Sequence, residues 1–90
     1  PCFAQAHANL GAAYAETGRL PDAARALEQA VECDPDYAEG YRNLAAIQLE
    51  LGNLDSAVAA MKNAIVARPG DPELQKALND LLDFQRLKIR

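Results

Sequence analysis

Displaced by 34 residues, this 90-residue chain falls back onto its own pattern. Ala4 meets Ala38, Asn9 meets Asn43, Leu10 meets Leu44, Ala12 meets Ala46, Glu16 meets Glu50 and Gly18 meets Gly52. Leu20, Ala23, Ala26, Ala30 and Pro35 meet Leu54, Ala57, Ala60, Ala64 and Pro69. Other pairs are conservative: His7 with Tyr41, Leu27 with Met61, Val31 with Ile65. A period of this length marks a repeat architecture, in which one supersecondary unit buries its apolar face against the next. The chain must therefore build the same unit twice.

Inside each period the apolar residues keep helical spacing. His7, Leu10, Gly11 and Tyr14 stand at i, i+3, i+4 and i+7, one helix face. Gly18 stops that helix, since glycine takes the left-handed C-cap conformation at little cost. Leu20, Ala23, Ala24, Leu27, Ala30 and Val31 form a second stripe, ended by Pro35. The second unit follows the same plan through Tyr41, Leu44 and Ala45, then Gly52, then Leu54, Ala57, Val58, Met61, Ala64 and Ile65, then Pro69. Small residues at Gly11, Ala23, Ala30, Ala45, Ala57 and Ala64 leave room for bulk at Tyr14, Leu27 or Tyr41 where helices cross. Asp36 with Glu39 reads as a capping box, and Asp71–Pro72 as an N-cap followed by a first-turn proline. Pro72 opens a fifth helix to about Lys88, with a stripe of Leu74, Ala77, Leu78, Leu81 and Leu82 and with Gln75, Lys76, Asp80 and Asp83 outside.

Composition agrees with helices. Half of the residues are apolar and a quarter charged, which excludes disorder. Alanine dominates the apolar set and favours helix, while aromatic and β-branched residues are too few for a sheet. The net charge of −4 argues against a nucleic-acid partner, which calls for a basic stripe. No apolar run approaches the ~20 residues that span a bilayer, so no membrane association is expected, and there is no signal-peptide pattern. The chain begins at Pro1 and is expected to be a fragment or a processed form. Cys2 and Cys33 lack metal-ligand spacing, and two reduced thiols in an intracellular, cytoplasmic protein are the expectation. A Cys2–Cys33 disulfide is the alternative, because the two lie on neighbouring predicted helices.

The spacing of Leu10–Gly11–Tyr14, Gly18, Ala23, Leu27, Ala30 and Pro35 resembles a complete tetratricopeptide repeat. The second unit is similar, with Ala45 in place of the glycine and Gln48 in place of the tyrosine. The likeness covers residues 4–71. It implies an all-α fold: two antiparallel helix hairpins stacked as a short right-handed α-solenoid, with a fifth, capping helix. Residues 1–90 then form a single domain, with repeats at 3–36 and 37–70 and the cap at 71–90. In the cap, Gln75 and Asn79 replace an aromatic and a small residue, as suits a polar outer face.

The resemblance also implies that the first helix of each hairpin lines a concave groove. The residues facing away from the hairpin core are Gln5, Ala8, Asn9, Ala12 and Glu16, and then Glu39, Arg42, Asn43, Ala46, Leu49 and Glu50. These form the candidate partner-binding strip. An asparagine offers both a donor and an acceptor, so Asn9 and Asn43 suit a peptide backbone. The segments Asn9–Gly11 and Asn43–Ala45 are similar to the asparagine-bearing repeats of O-GlcNAc transferase. Arg42 suggests a carboxylate clamp, but Ala8 and Ala12 stand where such a clamp needs a lysine and an asparagine. Glu16, Glu39 and Glu50 make the strip acidic, so a neutral or basic segment is expected. Leu49 offers an apolar anchor, and Arg42 can pair with Glu39 or Glu50.

The expected function is a protein–protein interaction scaffold that binds a peptide or partner protein. Two alternatives remain open: a self-assembly module, and the repeat portion of a larger enzyme. No catalytic constellation, metal site or cofactor site is predicted, and His7 is assigned to packing because no carboxylate or cysteine shares its face. Gly18 and Gly52 are turn residues rather than a phosphate loop. About three stacked repeats are normally needed, so the first hairpin calls for a cover, either further repeats or a second chain. Phe84, Leu87 and Ile89 form a second apolar place. Arg86, Lys88 and Arg90 suit a helix C-terminus.

Overall fold

Glycine sets the helix ends at both hairpin turns. Gly18 and Gly52 have φ of 79° and 85°, the left-handed region that other residues enter only at a cost. At the first turn the Gly18 N–H donates to the Ala15 carbonyl (3.1 Å) and the Arg19 N–H to the Tyr14 carbonyl (2.9 Å). At the second, Gly52 donates to Leu49 (3.0 Å) and Asn53 to Gln48 (2.8 Å). Both are Schellman caps. A side-chain pair closes each turn with different chemistry: the Arg19 guanidinium lies 4.8 Å from the Tyr14 ring centroid, while Asn53 Nδ2 donates to Gln48 Oε1 at 2.9 Å.

The computed structural model describes residues 2–89, with side chains from 2 to 87. The Lys88 and Ile89 side chains and Arg90, read from the sequence as part of the basic and apolar end, lie outside the described residues. Five helices make up the described chain, with no strand among them: α1 Ala4–Glu16, α2 Leu20–Cys33, α3 Ala38–Glu50, α4 Leu54–Ala67 and α5 Pro72–Ile89. The pairs α1–α2 and α3–α4 pack as hairpins, and α2–α3 and α4–α5 join successive units. The Cα trace measures 43 × 30 × 16 Å, thin enough for two helix layers. This is a short all-α solenoid of stacked helix pairs with a fifth helix.

The core runs along the hairpin crossings. Ala23, Leu27 and Ala30 of α2 and Ala57, Met61 and Ala64 of α4 are buried, as are Leu74, Leu78 and Leu81 of α5. The small residues stand where close approach requires them. A Cβ on Gly11 would lie 2.9 Å from Leu27 Cγ and 3.2 Å from the Ala23 carbonyl oxygen. Gly40 fills the same need between the hairpins, where a Cβ would lie 2.9 Å from both the Tyr37 ring and Val31 Cγ1. The repeat comparison did not single out Gly40, because its partner in register is Ala6.

Four expectations change. Leu10, assigned to the core stripe, is 46% exposed, because no helix covers the outer side of α1. Ala8, assigned to the partner-facing strip, is buried at 5% exposure and presents no side-chain surface. The capping box at Asp36 and Glu39 is absent. Helix α3 has Tyr37 at its N-cap with no side-chain cap hydrogen bond. A turn absorbs Asp36 instead: the Tyr37 N–H donates to the Asp34 carbonyl (3.0 Å) and the Asp36 N–H to Asp34 Oδ1 (3.1 Å). Cys2 and Cys33 are joined as a disulfide with Cα atoms 5.3 Å apart, not held as separate thiols. The hairpin itself brings them together, since α1 starts where α2 ends. The Asp71 cap does form, with the Glu73 N–H donating to Asp71 Oδ1 at 2.9 Å.

Candidate functional site

Helices α1, α3 and α5 follow one another along one surface, which carries two adjoining depressions. The larger, about 720 Å³, lies between α3 and α5. Its deepest residues are the buried Ala45, Met61 and Leu81. Arg42, Ala46 and Leu49 line it from α3, and Ala77, Asp80 and Phe84 from α5. Leu49 and Phe84 are 41% and 54% exposed, so two large apolar side chains border the opening. The smaller depression, about 280 Å³, lies between α1 and α3 and is lined by Gly11, Ala12, Ala15, Glu16, Leu27, Asn43, Ala46 and Ile47. Ala46 lines both, so the two adjoin along α3, and together they are called the trough below.

The strip read from the sequence maps unevenly onto this trough. Arg42, Ala46 and Leu49 line the larger part, and Ala12, Glu16, Asn43 and Ala46 the smaller. Gln5, Asn9, Glu39 and Glu50 are exposed but line neither part. The two asparagines thus differ in setting: Asn43 borders a depression and Asn9 does not. Of the wall contributed by α5, Phe84 was read from the sequence as part of a separate apolar place, while Ala77 and Asp80 were not assigned to the strip. Its signal was present, because Ala77, Asp80 and Phe84 lie 34 residues beyond Asn43, Ala46 and Glu50. Carrying the register on for a third turn would have found them.

Charge on this surface is mostly negative. Arg42 sits 3.7 Å from Glu39, both about half exposed. That exposed pair contributes little to stability, yet it offsets the positive charge on the strip. Glu16, Glu50 and Asp80 remain as exposed carboxylates. Elsewhere, Asp22 of α2 accepts hydrogen bonds from Arg19 Nε (2.9 Å) and from Arg25. Its partial burial opposes ionisation, but hydrogen bonds and charge from Arg19 and then Arg25 outweigh this and hold the carboxyl below its ordinary value.

His7 is half-buried and borders a separate depression of about 350 Å³ with Gln29, Glu32 and the two disulfide cysteines. Among the described residues no group of three or more His, Cys, Asp or Glu is placed to hold a metal ion. No described helix is long and apolar enough to cross a membrane.

A family profile described as the tetratricopeptide repeat matches residues 8–72. No curated protein is significantly similar in sequence to this chain. Solved structures share the fold. A crystal structure of MamA is 24% identical with a TM-score of 0.88, over 96% of this chain and 50% of that one. A second, of MamA protein, is 24% identical with a TM-score of 0.87, over 96% and 47%. The type III secretion chaperone SycD of Yersinia enterocolitica, in complex with a peptide of the translocator YopD, is 20% identical with a TM-score of 0.85, over 98% and 70%. The chain spans about half the length of the MamA structures it matches.

Proposed function

Because the chain belongs to the tetratricopeptide-repeat family, we propose that it is a non-catalytic protein-interaction scaffold that takes a peptide or protein segment into the trough across α1, α3 and α5. The observation that carries this reading is the larger depression, with buried Ala45, Met61 and Leu81 at its base and exposed Leu49 and Phe84 at its border. A leucine- or phenylalanine-sized side chain entering it removes apolar surface from water on both partners, worth about 1.5–3 kcal/mol for a fully buried side chain. Asn43, with Asn9 beyond it, supplies amide donors and acceptors for the segment's backbone. Glu16, Glu50 and Asp80 favour a neutral or basic segment and disfavour an acidic one. The fold shared with a chaperone solved in complex with a peptide is consistent with this use.

Selection from a random peptide library on the full chain tests the proposal. Enriched peptides are expected to pair one large apolar residue with neighbouring lysine or arginine. Leu49→Asp should weaken their binding at least tenfold, and Asn43→Ala should weaken it more than Asn9→Ala. Enrichment of acidic peptides, or binding indifferent to Leu49→Asp, would rule the trough out as the site.

A further inference from the structure

One disulfide closes the open end of the first hairpin. Cys2 lies just ahead of α1 and is exposed, while Cys33 is the last residue of α2 and half-buried. The depression of about 350 Å³ beside the bridge is walled by His7 of α1 and by Gln29 and Glu32 of α2. It gives a small thiol room to approach. An exposed disulfide exchanges with thiols more readily than an enclosed one and is of the labile, regulatory kind.

The residues that the bridge holds have little else to hold them. Ahead of Gly11, Ala8 alone joins the buried core. Cys2, Phe3, Gln5, Ala6, Asn9 and Leu10 are exposed. The helix start is uncapped, since Phe3 makes no side-chain cap hydrogen bond and the first turn has no acidic residue. From Gly11 onward the same helix is anchored: Gly11 lies against Leu27, Tyr14 and Ala15 pack on the core, and Gly18 closes a Schellman cap. Helices α3 and α5 have no such weak half. Ala38, Gly40 and Leu44 are buried at the start of α3, and Asp71 caps α5 ahead of buried Leu74 and Leu78. Ordering a helical turn costs conformational entropy at each residue, and one buried alanine offsets little of it. Segments with few buried apolar groups are the first to open.

We propose that the Cys2–Cys33 bridge is a redox switch on the order of α1: a small thiol opens it, and residues 2–10 then leave α2 while α2 to α5 keep their fold. The thiolate attacks at Cys2, the more exposed of the pair. A mixed disulfide forms there, and the Cys33 thiolate is expelled and takes a proton from water. A second thiol displaces the first, so the protein bond gains two electrons and two protons, and the two small thiols leave joined as a disulfide. Gln5 and Asn9 move with the released segment, whereas the residues lining the larger depression stay in place. The switch does not depend on what the trough binds.

Amide exchange read by mass spectrometry on the full chain, oxidised and then treated with dithiothreitol, tests this. On reduction, exchange within residues 3–10 should accelerate at least about tenfold and approach unprotected rates, while α3 and α4 stay protected by at least about a hundredfold. Removing the dithiol and adding oxidised glutathione should restore the slow exchange. Cys2→Ser/Cys33→Ser should show the fast exchange with no reductant present. Phe3→Asp supplies the missing N-cap and should recover part of the protection in the reduced chain. The proposal is overturned if residues 3–10 stay protected after reduction. It is overturned equally if reduction unfolds the whole chain at once, since the bond is then a staple and not a switch. The same holds if dithiothreitol, at a concentration that reduces free cystine, leaves the bridge of the folded chain intact.

Discussion

Replacing Gly11 with alanine sets two opposing effects against each other in one methyl group. Alanine in a helix interior is favoured over glycine by about 1 kcal/mol. Here the added Cβ would stand 2.9 Å from Leu27 Cγ and 3.2 Å from the Ala23 carbonyl oxygen. Leu27 is fully enclosed, and Ala23 offers backbone rather than a movable side chain. Overpacking of this kind costs about 1–3 kcal/mol. The expected net effect of Gly11→Ala is therefore a loss of about 1 kcal/mol. The second hairpin already holds the compensated solution, with Ala45 at the glycine position and Met61 at the leucine position, both buried. Methionine is unbranched at Cγ and adapts to irregular gaps. Leu27→Met alone should cost under about 1.5 kcal/mol, and the double change should be about as stable as Leu27→Met alone. A urea-denaturation cycle followed by helical circular dichroism would report a favourable coupling of about 1 kcal/mol between the sites. A Gly11→Ala chain more stable than the original would refute the account. So would effects that add to within about 0.3–0.5 kcal/mol.

The Cys2–Cys33 bond closes a loop of sequence separation 31. On chain-entropy grounds, reduction should lower stability by about 3–4 kcal/mol. Thermal melts with and without reductant would show the midpoint fall, and Cys2→Ser/Cys33→Ser should match the reduced chain. Asp22 sets a pH dependence: a carboxyl held below its ordinary value of 3.8 stabilises the fold above that pH, and the contribution is lost as pH falls through the lowered value. Asp22→Asn should thus be less stable than the original at pH 7, with the difference shrinking in urea titrations taken below pH 3.8. An undiminished difference in acid would place the effect in packing rather than charge.

The helices were legible because the punctuation is chemical. Gly18 and Gly52 supply the left-handed caps, and Asp71 caps α5 with its own carboxylate. The start of α3 was misread because Asp36 and Glu39 have the right spacing, while the turn at Asp34 and Pro35 delays the helix by one residue. Periodicity shows how many faces of a helix are apolar, but not which neighbour covers each. Leu10 shares helical spacing with His7, Gly11 and Tyr14 and so was taken for core, while Ala8 falls on the opposite side of the same wheel and was taken for surface. The α5 wall of the trough was hidden for a related reason. A helix read as a polar cap was not expected to face the same way as α3. The disulfide depends on two helix ends meeting in space; neighbouring helices made it the alternative reading, but helical spacing alone did not say that the start of α1 meets the end of α2.

The bond that joins Cys2 to Cys33 also decides how the chain carries tension. A pull applied at the amino terminus passes through the sulfur bridge directly to the end of α2. Helices α1 and α2 hang outside that line, so the first hairpin is shielded from stretching while the bridge holds. Force first meets resistance at the joint between α2 and α3 and in the second hairpin. Reduction would release the 31-residue separation into the load path, about 100 Å of extended chain. The same thiol chemistry that sets thermal stability thus sets where the molecule gives way when it is drawn out.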